Sequence, residues 1–308
     1  MPWKKGNRLH VVSEREAPPE IRAIYGEIQQ YLGTPFVSQL FQVYASYPRF
    51  LAAHWKMLRP VVDSGEFFRL AERLRADAYT RACNYFDIVN FCPQLESYHF
   101  SEGAKHELNQ VIDLFNYLDP LLLLIAAAQQ QAFDGVVGNG RVPQLPSQRS
   151  DFEIRPVLVD EESAEPDPRR IFDEIKQTSG LPFVTQEIRA LARWPDFLRV
   201  YWNFLHPLLA SPIYSECSFG IQESAWSLVK ELPGSMELPL EHMTSAGMSE
   251  DDIASVVRLT QAFNRGLSSA LLNISIAKIG MEGGNRVELS PREKQTAFEQ
   301  ESSPNQAA

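Results

Sequence analysis

Two carboxylates in this chain of 308 residues stand where a matching stretch of the same chain carries leucine. Glu187 aligns with Leu40, and Asp119 aligns with Leu267. A carboxylate held in a dry site can act as a general base and take a proton from water. Two carboxylates brought together there cannot both ionise at close range, so they share a proton and one pKa rises. Glu187 and Asp119 are therefore the candidate catalytic residues. Each also has a plainer reading. Glu187, one residue past an expected helix start, could be a solvated acid complementing the helix dipole. Asp119 precedes Pro120 inside a helical run. Either the helix continues and kinks, leaving the Asn116 carbonyl without its donor, or Asp119 caps a new helix that Pro120 opens.

The comparison between halves rests on a gapless internal match. Residues 24–67 recur at 171–214 with 17 identities in 44 positions, at an offset of 147. The shared positions include Gly33/Gly180, Pro35/Pro182, Phe36/Phe183, Val37/Val184, Gln39/Gln186 and Trp55/Trp202. A second pair, "LFNYLDPLLLLIAAA" and "AFNRGLSSALLNISI", lies at an offset of 148 and repeats Phe115-Asn116 as Phe263-Asn264. The expected architecture is all-α: two tandem homologous helical repeats that form a pseudo-two-fold dimer within one chain, with a ligand site at the seam. The expected divisions are a first repeat over 17–135, a linker over 136–167, a second repeat over 168–282, and a polar tail without fixed structure over 283–308.

Within each repeat the punctuation predicts one order. A helix over about 19–32, or about 168–179, ends at Gly33 or Gly180 in the C-cap role. A Pro-Phe-Val turn follows, and Ser38 or Thr185 can N-cap the next helix. Pro48 and Pro195 break that helix and start another. Ser249, followed by three acids, reads as a further N-cap. The stretch "FEIRPVLV", 152–159, is the one place with strand-like alternation. The repeated P-F-V-[ST]-Q turn is either a structural cap or, through free backbone N–H groups at the two helix starts, a pocket for a carboxylate or a leaving halide. Gln39 and Gln186 would line such a pocket.

Composition narrows the class of function. A net charge of −10 argues against nucleic acid or an anionic membrane as a partner. The apolar run 121–128 is shorter than the about 20 residues a membrane span needs, and the N-terminus lacks the apolar core of a secretory signal. Cys83, Cys92 and Cys217 are an odd number without a CxxC, which reads as buried thiols of a cytoplasmic protein. His99 and His106 lack the spacing of a helical metal pair, and His54 and His206 are not duplicated. No metal or cofactor is expected. The chain has no GxSxG, no P-loop and no GxGxxG opening a strand-helix unit.

Taken together, "TPFVSQ", "FNYLDPLLLLI", "ALARWPDFL" and "LPGS" resemble the group I 2-haloacid dehalogenases of the DehI type, over about 17–282. The resemblance implies an all-α pseudo-dimer whose site lies between the repeats, with a homodimer plausible as the assembly. It also implies an aspartate that, helped by an asparagine, activates a water. The water displaces halide directly from C2 of a small 2-halocarboxylic acid, without a covalent intermediate. Carried over, the aspartate falls on Glu187 and the asparagine on Asp119, followed by the matching Pro120. A pocket tryptophan falls on Phe36, a pocket phenylalanine on Gln39, and the serine before the base on Gln186. Ser38, Thr185 and Asn116 join these three as expected substrate-binding residues. The alternatives are a divergent member that binds or transforms another small molecule in the same pocket, and a non-catalytic helical scaffold.

Overall fold

Proline starts and glycine ends fix the helix boundaries. The computed structural model describes residues 10–141, 152–181 and 183–285. Helix α1 (Pro19–Leu32) opens with Pro at its first turn and turns Ile21, Tyr25, Ile28 and Leu32 inward at helical spacing. Gly33 closes it at φ 64°, its N–H returning to the Gln29 carbonyl. A short α2 (Gln39–Tyr44) and then α3 (Pro48–Val62) and α4 (Gly65–Tyr85) follow. The Ser64 hydroxyl caps α4 by accepting from Phe67 N–H at 3.2 Å. After α5 (Cys92–Ser97) comes the 31-residue α6 (Glu102–Ala132).

The second half runs through α7 (Pro166–Ser179), α8 (Gln186–Leu191), α9 (Pro195–Leu209), α10 (Pro212–Leu228) with a 3-10 turn at Val229–Glu231, α11 (Leu240–Ser245) and α12 (Glu250–Met281). Helices α7, α8, α9 and α11 have the lengths of α1, α2, α3 and α5: 14, 6, 15 and 6 residues. α12 is one residue longer than α6, with 32 against 31. The same bonds brace both halves. Trp55 Nε1–H donates to Glu27 at 2.7 Å and Trp202 Nε1–H to Glu174 at 2.6 Å, tying α1 to α3 and α7 to α9.

Helices α6 and α12 pack along one another at the centre, and both are buried over most of their length. By length and composition α6 is apolar enough to cross a membrane, but 89% of its most apolar window is buried against other helices. The expectation from the short 121–128 run therefore needs correcting: the helix is long enough, and its apolar surface is spent on the core. Helix α6 also runs without interruption through Pro120. Of the two readings of Asp119, the continuous helix is the one realised.

Other expectations change. Segment 152–159 is extended but has no partner strand. Its end is tied to α8, with Val159 N–H donating to the Arg189 carbonyl and Arg189 Nε–H to the Val159 carbonyl, both at 3.0 Å, while Phe152 packs on Tyr117 of α6. The start of the linker is fixed as well, by an antiparallel bridge between Val137 and Met236. At the tail, Asn285 bonds the Cys83 and Phe86 carbonyls and the Ile88 N–H. Residues 283–285 are thus tied down, while 286–308 and linker residues 142–151 lie outside the described residues. Cys217 is buried, but Cys83 and Cys92 are only half-buried.

Candidate active site

The Phe-Val pair of each repeat leads into a short helix, α2 or α8, but the N–H of its valine is already used. Val37 N–H donates to Glu14 at 3.1 Å, and Val184 N–H donates to Glu161 at 3.2 Å. Gln39 N–H, at the start of α2, donates to the Gln186 side-chain carbonyl at 2.8 Å. The N–H groups of Val37, Val184 and Gln39 are therefore not free to receive an anion. The hydroxyl caps also differ from expectation. Ser38 and Thr185 occupy the N-cap positions, yet neither side chain caps its helix. Ser38 Oγ is buried without a partner, and the Thr185 hydroxyl donates to the carboxylate of Glu187. Pro182 falls outside the described residues.

The turns position one small cavity. Leu40 and Gln39 face it from α2, Asp119 and Leu122 from α6, Gln186 and Glu187 from α8, and Phe263, Gly266 and Leu267 from α12, with Phe183 and Thr185 completing the wall. Both carboxylates and both of the leucines aligned with them meet there. The space a water's centre can occupy is ≈ 20 Å³, about what one water needs. Of the predicted binding residues, Gln39, Gln186 and Thr185 line the cavity. Phe36, Ser38 and Asn116 do not, although all three are buried. Phe36 packs edge-on against Phe115, and Asn116 Oδ1 is buried without a partner. The wall residues not anticipated are Leu122, Phe183, Phe263 and Gly266. Two carried a signal: Phe183 repeats Phe36, and Phe263 belongs to the repeated Phe-Asn pair.

Burial decides the electrostatics. Asp119 and Glu187 are each 2% exposed, and removing a carboxyl group from water favours its neutral form. Desolvation, and then the neighbouring charge of Glu187, hold the Asp119 carboxyl well above the ordinary carboxylate range. Burial raises Glu187 to about 7, opposed by hydrogen bonds from the Thr185 hydroxyl and from its own backbone N–H. Glu187 ionises first and Asp119 stays protonated beside it. Near neutrality the cavity thus holds one base and one neutral acid, and Asp119 Oδ2 is buried without a hydrogen-bond partner. Among the described residues, no group of three or more His, Cys, Asp or Glu side chains is placed to hold a metal ion. His54 is fully buried, bonded through Nδ1 to Gln129 at 2.5 Å, and His206 stacks on Trp202.

Comparison with known proteins follows the same outline. The family described as "Halocarboxylic acid dehydrogenase DehI" matches residues 35–188. The (R)-2-haloacid dehalogenase of Pseudomonas putida is 27% identical over 273 residues, 87% of this chain and 91% of that protein. A configuration-inverting 2-haloacid dehalogenase of Pseudomonas sp. (strain 113) is 22% identical over 82% of this chain and 85% of its own length. Among solved structures, a D-2-haloacid dehalogenase mutant in complex with D-2-CPA has a TM-score of 0.85 at 25% identity, covering 91% of this chain and 98% of that one. The complex of D-2-haloacid dehalogenase with L-LA has the same TM-score and identity, covering 91% and 99%.

Proposed function

The chain belongs to the DehI-type, group I 2-haloacid dehalogenases as a distant member, and on that premise we propose that it hydrolyses the carbon–halogen bond of a 2-halocarboxylic acid. The observation that carries this reading is the pairing of a titrating Glu187 with a protonated Asp119 around space for one water. The Glu187 carboxylate takes a proton from that water as its oxygen attacks C2. The carbon–halogen bond breaks with its electron pair on the halide, and C2 inverts. The products are the 2-hydroxy acid, halide and a proton that Glu187 passes to solvent. No covalent ester forms, because the water itself is the nucleophile.

In this reading Asp119 replaces the family's asparagine through its protonation state. A neutral carboxyl offers one O–H donor and one C=O acceptor, as an amide offers N–H and C=O. Ionised, it would offer only acceptors and would repel a carboxylate substrate. The longer Glu187 side chain is accommodated by folding back, held by Thr185 and its own N–H. We take the two six-helix runs as duplicated halves closing about a pseudo-two-fold axis. The seam then admits one water site rather than two, because Leu40 and Leu267 occupy the sister positions.

One observation favours a second reading. The Gln186 side chain reaches across to Gln39 N–H and narrows the cavity to a single water's volume. A divergent member acting on a different small molecule would also fit that arrangement. Halide release from D- and L-2-chloropropionate and 2-bromopropionate, followed across pH in wild type and Glu187→Gln, separates the two. Release by wild type alone supports dehalogenation by Glu187. A folded wild type that releases no halide from any of the four gives the second reading precedence.

A further inference from the structure

The cavity beside Glu187 is too small for the molecule the proposed reaction consumes, but a larger space adjoins it. A cleft of ≈ 310 Å³ lies among α7, α9, α10 and α12, and Phe183, Thr185 and Gly266 belong to both its wall and that of the cavity. At Gly266 even a Cβ would come within 3.2 Å of Leu181 Cδ1, so any side chain there intrudes on the common wall.

The cleft exists because the two halves fill corresponding positions differently. Thr178 aligns with Tyr31, Ser179 with Leu32, Gly266 with Leu118 and Asn273 with Ile125. Ser215 is the fourth residue of α10, where Phe68 is the fourth of α4. In each pair the residue lining the cleft is smaller or more polar. The first half closes the corresponding region: Leu32, Leu118 and Ile125 are buried, Tyr31 packs edge-on to Trp55, and Phe68 stacks on Tyr117. Tyr117 itself aligns with Arg265, an exposed residue that lines the cleft, and among the described residues no carboxylate pairs with the Arg265 guanidinium. The remaining wall is apolar, led by Trp202, Leu205 and Phe183.

We infer that this cleft seats the body of the substrate: a 2-haloacid whose C2 substituent is aryl or branched alkyl lies against Trp202 and Leu205, its carboxylate held by Arg265 and its reacting carbon at the Thr185–Gly266 wall. The inference rests on the dehalogenase reading for the word haloacid, while the cleft's preference for a bulky acid can be tested without any carbon–halogen bond. The geometry divides the work. Small residues admit the substituent, the Arg265 guanidinium meets the carboxylate, and the small cavity retains the water.

The test is equilibrium binding of two 2-hydroxy acids, mandelate and lactate, by titration calorimetry. Mandelate binds wild type at least about tenfold more tightly than lactate. Ser215→Phe, which installs the aligned aromatic, reduces that preference about tenfold, and Thr178→Tyr does so from the opposite wall. Arg265→Gln weakens both acids about tenfold, with partial recovery in Arg265→Lys. Thermal unfolding confirms that each variant is folded. Equal binding of the two acids, or a preference unchanged in both filled variants, overturns the inference. If the preference and its loss are seen but no haloacid releases halide, the cleft stands and the dehalogenase reading fails. Halide release that filling the cleft leaves unchanged overturns the inference and leaves the dehalogenase reading standing.

Discussion

Glu187→Gln should do more than stop turnover: it should change how stability depends on pH. Burial raises the Glu187 carboxyl from 4.5 to about 7. For an acid whose folded pKa is raised, the fold favours the protonated form. Its contribution to stability is fully present below the unfolded pKa of 4.5 and is lost as pH rises through about 7. At about 1.4 kcal/mol per pKa unit, that loss amounts to about 3 kcal/mol between pH 4.5 and pH 8. Glutamine keeps a carbonyl for the Thr185 hydroxyl and for its own N–H but carries no charge, so the variant is spared this loss. Desolvation, the larger cause of the raised Asp119 pKa, is the same in both proteins, so the drain it places on stability largely cancels. Urea unfolding of both proteins at pH 4.5 and pH 8 measures the difference. The variant should gain about 3 kcal/mol on wild type over that interval and release no halide at either pH. If the two proteins lose stability in parallel, Glu187 is not a buried acid titrating near neutrality, and the assignment of base and acid in the cavity falls with it.

Asp119→Asn keeps one donor and one acceptor in the cavity while removing the second acid. Halide release should persist, and the fall in kcat/KM at high pH caused by ionisation of Asp119 should disappear; Asp119→Leu, the residue at the aligned position, should lower kcat by at least about 10²-fold. Thr185→Val removes a hydrogen bond that holds the Glu187 pKa down, so the acidic limb of the rate profile should move to higher pH, and an unmoved limb would show that this hydroxyl does not act on the base. His54 is kept neutral by burial, its pKa lowered to about 4 from 6.5. Its contribution is present above pH 6.5 and lost as pH falls towards 4, a drain of about 3 kcal/mol. His54→Asn retains a donor for Gln129 and should resist acid unfolding better than wild type, measured by denaturant melts at pH 4.5 and 7.

What could be read from the sequence was local. Gly33 and Gly180 ended helices and Pro48 and Pro195 began them, because each of those residues restricts the backbone within one turn. Segment 152–159 misled for the opposite reason: alternation makes a strand only where a second strand accepts its hydrogen bonds, and this segment meets a helix instead. The turn N–H groups looked free because Glu14 and Glu161, which accept from Val37 and Val184, lie far upstream and resemble any surface acid. Phe36 and Asn116 were drawn into the site by repetition and resemblance, but repetition marks packing as readily as chemistry. Phe36 is engaged with Phe115 in the core.

Divergence within the chain was more informative than repetition. On the proposal that the halves are duplicates, each serves as an internal control for the other at positions that share a helix register. At Leu40/Glu187 and Asp119/Leu267 the departure introduces a carboxylate into an apolar wall, a change that burial makes unfavourable unless the group is neutral or hydrogen-bonded. At Tyr31/Thr178, Phe68/Ser215 and Leu118/Gly266 the departure removes volume from what would otherwise be packed core, a change that lowers stability unless something fills the space. Both kinds of departure meet at Thr185 and Gly266, the wall common to the cavity and the cleft. Stability alone gives no reason for the unfavourable charge and the missing volume to converge there. A substrate in the cleft facing a water in the cavity does.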